Sequence, residues 1–320
     1  MYKKARLLAG SMRLSHWVKN SFVLAPLLFS RGFYDPVQYS KALAAVISFC
    51  FFSSAVYIFN DLFDRKEDQK HPLKRDRPIA SGKINTSEAL SFLLILVLLG
   101  FILAVYLPGA FLRGEWLYLS FARPVDIPSR FLIVVLIYIG INGLYTLWLK
   151  HIAILDVMII STGFVLRILA GSVMISVEPS HWLILCTIMI SLFLGFSKRR
   201  TELVSIEQAG DTTRKVLQYY SVRFLDQAIA MVTAATFICY ALYTVDDHTL
   251  KVLGSRAMLI TVPSVIYGLF RYIYLIYHKK AAADPATLVC RDVPTLINLI
   301  LWVVLCYVAV SYGNRLDPFQ

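Results

Sequence analysis

The sequence predicts an all-α polytopic membrane protein with about nine transmembrane helices, and three observations carry that expectation. Hydrophobic residues make up 58% of the 320, and mean hydropathy is +0.64. Several apolar runs approach the ~20 residues that a helix needs to cross a bilayer. Basic residues gather in short segments between alternate runs, which is how membrane orientation is encoded.

In chain order the expected spans are approximately 18–31, 40–60, 87–107, 130–149, 152–175, 181–197, 222–244, 257–277 and 293–312. The first is short and looks like the apolar core of a signal peptide. Ser30-Arg31-Gly32 lacks a small-x-small cleavage pattern, however, so it is kept as a mature helix. The expectation is one integral membrane domain over 1–320, with a helical bundle at 18–312 and cytoplasmic active-site loops at 61–85 and 197–217. The stretch 108–129 is expected as an external interfacial segment, with Trp116, Tyr118 and Phe121 among prolines and charges.

With the N-terminus inside, the inner segments hold Lys3, Lys4, Arg6, Arg13, Lys19, the bases between Arg65 and Lys83, Lys150, Lys198 to Arg200, and Lys279 with Lys280. The outer segments hold far fewer, among them Arg31, Arg113 and Lys251. This bias predicts a plasma (inner) membrane protein with a cytoplasmic N-terminus, an external C-terminus and an active site facing the cytoplasm. The net charge of +12 is thereby read as topology and contact with membrane lipids, not as a nucleic-acid surface. The five cysteines and six histidines show no metal-ligand spacing, and four of the cysteines lie in apolar helices, which gives no disulfide framework.

The chemistry gathers where the second run ends. Asn60-Asp61-Leu62-Phe63-Asp64-Arg65-Lys66-Glu67-Asp68 puts four carboxylates and an amide at a membrane helix end. Acids are costly there unless they pair or bind a cation. Asn60, Asp64 and Asp68 are spaced i, i+4, i+8, so on one continuous helix they face one way as oxygen ligands suited to Mg²⁺. Magnesium takes one or two protein carboxylates and fills its shell with water and phosphate, so a diphosphate is expected to complete the site. Asp61 is expected to position water or a second cation. The alternative is a solvated helix end whose acids pair with Arg65, Lys66 and Lys70.

Other polar residues divide between phosphate binding and ordinary membrane duties. Lys74, Arg75 and Arg77 can close over a diphosphate or contact lipid head groups. Lys19 and Asn20 follow Trp17 as an interfacial anchor or a phosphate site. Arg167 lies mid-span, where an arginine costs roughly 2.5 to 3.5 kcal/mol on insertion scales and requires a polar interior. Asp156 lies about three turns away on nearly the same helix face, too far to be its direct partner. Each can line a polar cavity or satisfy a buried contact. Asn142, Tyr145 and Lys150 occupy the cytoplasmic half of the fourth span.

The acidic motif resembles the NDxxDxxxD signature of the UbiA superfamily of intramembrane prenyltransferases, met here by Asn60, Asp61, Asp64 and Asp68. Arg13 with His16 to Asn20, His71 to Ala80, Asn142, Tyr145, Leu149-Lys150, Asp156-Val157, Arg167 to Gly171, and Lys198-Arg199 with Glu202-Leu203 are similar to the decaprenyl-phosphate phosphoribosyltransferase branch. The likeness runs from about Arg13 to about Asp292. It implies a UbiA-like bundle around a central polar cavity and Mg²⁺-dependent transfer of 5-phosphoribose from phosphoribosyl diphosphate to a polyprenyl phosphate. A homo-oligomer stays open.

One departure bears on the substrate. Members acting on prenyl diphosphates carry a second aspartate-rich motif after the sixth helix, and here that position reads Ser197-Lys198-Arg199-Arg200-Thr201-Glu202. Cations there suit a donor with an extra phosphate, because Lys and Arg bind such a group by charge-assisted hydrogen bonds. The competing enzyme, a prenyltransferase acting on an aromatic acceptor, would need acids instead. A membrane transporter would place its charges near the bilayer centre in broken helices, often with internal repeats.

Overall fold

The computed structural model describes residues 2–30, 32–70, 74–110, 126–209, 215–253, 255–278 and 292–316, and every regular element within them is a helix. Among the described residues eight helices are long and apolar enough to cross a membrane, and the chain is an integral membrane protein. They lie in α3 (Pro36–Phe63), α5 (Thr86–Ala110), α6 (Asp126–Leu147), α7 (Leu155–Ile175), α8 (His181–Ala209), α9 (Val222–Val245), α11 (Val262–His278) and α12 (Val293–Leu316). Shorter helices are α1 (Tyr2–Ser11), α2 (Ala25–Phe29), α4 (Arg65–Lys70) and α10 (Asp247–Leu253).

The expected first span takes a different form. Leu14–Leu24 is a 3-10 helix of 11 residues that leads into α2. Trp17 Nε1 donates to Ser54 Oγ at 3.0 Å and Asn20 Nδ2 to Ser53 Oγ at 3.0 Å. Further along, Val23 shares a core with Ala45, and Leu27 shares one with Ala42. The segment therefore runs antiparallel along α3. A 3-10 rise of about 2.0 Å per residue gives those residues about 22 Å of reach, more than the same number would cover as an α-helix.

Start signals are local. Asp35 caps α3 by accepting the Val37 N–H at 2.9 Å, with Pro36 in the first turn. Asn85 and Glu88 exchange bonds at the start of α5, Glu88 N–H to Asn85 Oδ1 at 2.8 Å and Asn85 N–H to Glu88 Oε2 at 3.3 Å, a capping box. Ser221 caps α9 through the Phe224 N–H.

The chain divides into two compact units. The first comprises Met1–Leu27, Gly32–Leu149 and Leu166–Glu178, and the second Leu28–Arg31, Lys150–Val165 and Pro179–Gln320. In the first, α3 is the most enclosed span, with 67% of its membrane window buried. Its buried Ala42, Ala44, Ala45, Ser48, Ser53, Ser54 and Ala55 let neighbours approach closely, the usual basis of helix packing in lipid. Gly171 in α7 has the same purpose, because a Cβ there would stand 1.9 Å from the Val23 carbonyl oxygen. In the second unit, Val157 packs with Phe193, Leu225, Ile229 and Tyr272. A Cβ at Gly195 would meet Val157 Cγ1 at 2.4 Å.

One further expectation changes. The stretch expected as a loop from 197 is helical through Ala209, because α8 continues past Ser197 with Lys, Arg and Glu, good helix formers that include an i, i+3 Arg199–Glu202 pair. Most of the segment 108–129, and His71 to Leu73, lie outside the described residues.

Candidate functional site

The acid motif sits where α3 ends, but not on one continuous helix. Asp64 leaves helical geometry at φ −82°, ψ 3°, and α4 begins at Arg65. Backbone bonds bridge the break, from Asp64 N–H to Asn60 O at 2.9 Å and from Asp68 N–H to Asp64 O at 2.8 Å. The stacking expected for Asn60, Asp64 and Asp68 on a single helix is therefore interrupted at its middle member. The carboxylates brought together instead are Asp61 and Asp68, both buried.

A single guanidinium joins them. Arg77 Nη1 donates to Asp61 Oδ1 at 3.1 Å and to Asp68 Oδ2 at 2.7 Å. Arg13 Nη2 donates to the same Asp61 oxygen, and Lys74 Nζ lies 3.9 Å from Asp68 Oδ1. The alternative of a solvated helix end, its acids paired with Arg65, Lys66 and Lys70, is not the arrangement around Asp61 and Asp68. Its cations arrive from the loop before Pro78 and from the N-terminal segment. Arg13 is held in the left-handed region at φ 53°, rare for a non-glycine residue, with its guanidinium carbon 5.0 Å from the Tyr57 ring centre. The cation side chains stay partly exposed, 24% for Arg13, 30% for Arg77 and 35% for Lys74. Arg75, by contrast, is exposed.

Asn60 and Asp64 are half-buried. Asn60 Oδ1 accepts from Thr146 Oγ1, and Thr146 in turn lies 2.9 Å from the Asn142 carbonyl oxygen. Asn142 spends its own amide on the Tyr138 carbonyl at 2.8 Å, while Tyr145 is half-buried beside it in α6. Among the described residues no three of His, Cys, Asp or Glu are grouped to hold a metal. A divalent cation here would draw on the Asn60 amide, one or two carboxylates, water and phosphate, an all-oxygen set that suits a hard ion.

Deeper in the first unit, Arg167 meets Asn20. Its Nε donates to Asn20 Oδ1 at 2.9 Å and its Nη2 to Tyr138 OH at 3.1 Å, and its guanidinium carbon stands 5.2 Å from the Phe49 ring centre. Asn20 is buried and also bonds Cys50 Sγ and Ser53 Oγ. Lys19 beside it is half-buried. This is the polar interior that a mid-span arginine requires.

In the second unit Asp156 accepts Arg199 Nε at 2.6 Å on one oxygen and Tyr220 OH at 2.6 Å on the other. Arg199 also donates to Glu202 Oε2 at 2.7 Å. Burial and the Asp156 carboxylate raise the Tyr220 hydroxyl well above the ordinary tyrosine pKa, so it stays a donor. Lys150 is buried at the start of this unit and Lys198 is half-buried next to Arg199. The sequence singles out neither Thr146 nor Tyr220, and Arg13 enters there only through the inner charge bias and the family likeness. Nothing in the local sequence around Thr146 or Tyr220 marks either as more than a membrane-helix or interfacial residue.

The chain belongs to the UbiA prenyltransferase family, which it matches over residues 21–302, and is an enzyme of that superfamily. It is 29% identical over 316 residues to the decaprenyl-phosphate phosphoribosyltransferase of Mycobacterium tuberculosis (strain CDC 1551 / Oshkosh), covering 97% of each chain. The corresponding protein of Mycolicibacterium smegmatis is 30% identical over 306 residues, covering 92% of this chain and 90% of that one. A UbiA homolog from Archaeoglobus fulgidus, solved bound to GPP and Mg²⁺, shares the fold with a TM-score of 0.61 at 16% identity, over 94% of this chain and 99% of that one.

Proposed function

We propose that this enzyme transfers 5-phosphoribose from phosphoribosyl diphosphate to a polyprenyl phosphate and releases diphosphate. The observation that carries the reading is the trio Arg13, Lys74 and Arg77 on Asp61 and Asp68. Cations that stay partly exposed while paired with buried carboxylates can turn to phosphate oxygens with charge-assisted bonds. The similarity to the two phosphoribosyltransferases supports the choice of donor and acceptor.

Asn60, Asp64 and Asp68 would hold Mg²⁺, which supplies positive charge to the departing diphosphate. Arg77 and Lys74 orient the diphosphate, and Asp61 keeps Arg13 and Arg77 aligned. In the step itself the anomeric C–O bond to diphosphate breaks with its electron pair leaving on oxygen. An oxygen of the acceptor phosphate forms the new C–O bond. Fixed carboxylates favour the positive character that the anomeric carbon gains. The acceptor is already ionised at neutral pH, so no general base is needed. Lys150 and Lys198 are assigned by residue type to substrate phosphate. The charge bias of the loops assigns the N-terminus and the acid motif to the cytoplasm and the C-terminus to the outside.

The test is to supply purified protein with phosphoribosyl diphosphate labelled in the ribose, together with decaprenyl phosphate and Mg²⁺. Label should move into the organic-extractable lipid. Label that stays aqueous, while a prenyl diphosphate and an aromatic acid yield product, would overturn the reading in favour of aromatic prenylation.

A further inference from the structure

Ile154, in the connection before α7, has φ 70°. A β-branched residue in the left-handed region is strained, and such strain persists only where surrounding contacts impose it. The Ile154 N–H donates to Tyr220 OH at 2.6 Å, and the same hydroxyl donates to Asp156 Oδ1 at 2.6 Å. Asp156 Oδ2 takes Arg199 Nε, and Arg199 reaches Glu202. One hydroxyl thus spans from a strained turn to an ion pair with side-chain exposures of 0% and 2%.

The circuit touches two elements that each carry a lysine assigned above to phosphate. Lys150 lies in the 3-10 turn Leu149–His151, just before Ile154, and Lys198 is adjacent to Arg199 on α8. We infer that Tyr220 is a positioning residue for donor binding, holding the Ile154 turn to Asp156 and Arg199 so that Lys150 and Lys198 keep a fixed placement within the second unit. This rests on the assignment of those lysines to substrate phosphate. It adds an uncharged residue to the charged ones already assigned. Its ring also packs beside Phe224, with centroids 6.0 Å apart, so a phenylalanine can keep the packing while losing the bridge.

The experiment compares the parent with Tyr220→Phe, Ile154→Gly and the double variant, measuring KM for phosphoribosyl diphosphate, kcat, and hydrogen exchange of the 152–157 backbone amides. Tyr220→Phe should raise KM about tenfold with kcat within about twofold, and should speed exchange at Ile154, since its part-buried amide donor loses its acceptor. Adding Ile154→Gly should recover most of the KM, because glycine adopts positive φ without the strain that the hydroxyl was opposing. Parental KM with unchanged exchange overturns the inference, and so does a KM rise that glycine does not recover. If the parent transfers no phosphoribose, the functional reading falls by itself, and exchange at Ile154 still decides whether Tyr220 holds the turn.

Discussion

Two ion-pair clusters at the ends of membrane helices look alike in sequence and differ in what they expose. At Asp61 and Asp68 the acids are buried while the cations keep 24% to 35% of their side-chain surface. At Asp156 both members of the pair are sealed, with Arg199 at 2% and Asp156 at 0%. A sealed pair cannot trade partners without uncovering a desolvated charge, so it holds structure. A pair with an open cation can release it to a phosphate, which is why we propose the Asp61 and Asp68 cluster as the binding site.

The sharpest way to break this comparison is to remove one acid from each cluster. Asp156→Ala takes its buried carboxylate from the sealed Arg199, and should cost about 3–5 kcal/mol of stability in detergent, read by thermal or denaturant unfolding. A loss under about 1 kcal/mol would put Asp156 with the exchangeable acids. Asp68→Ala should leave stability nearly intact, since Arg77 keeps Asp61 and some water, while turnover falls about 10²–10³-fold through lost electrostatic preorganisation. Near-parental turnover at saturating Mg²⁺ would move Asp68 to the structural class. The smallest effect is expected at Lys198→Ala, with KM for the donor up about tenfold, or about 1.4 kcal/mol, and the melting temperature unchanged. Pairing that change with Arg199→Ala would confuse the result, because Arg199 belongs to the sealed pair.

The spans were legible because hydropathy over ~20 residues is a property of composition, and eight of the expected nine are long apolar helices. The remaining one, at 18–31, was legible as apolar but not as a 3-10 helix, whose geometry is set by packing along α3. The acid motif was legible from its charges. Its pairing was not, since Arg77 and Arg13 reach Asp61 from 16 and 48 residues away. The break at Asp64 carries no glycine or proline to announce it. Arg199 reads in sequence as one more cation of a basic run. Only the fold supplies Asp156, 43 residues earlier, and so withdraws it from the surface.

The most direct measurement is diphosphate release by the purified protein in detergent from phosphoribosyl diphosphate, with and without decaprenyl phosphate, and with Mg²⁺ or a chelator. Release is expected only when both the acceptor and Mg²⁺ are present, retained in Lys198→Ala at raised donor concentration and lost in Asp68→Ala. Release that continues without acceptor, or that is equal in the parent and Asp68→Ala, would contradict this expectation.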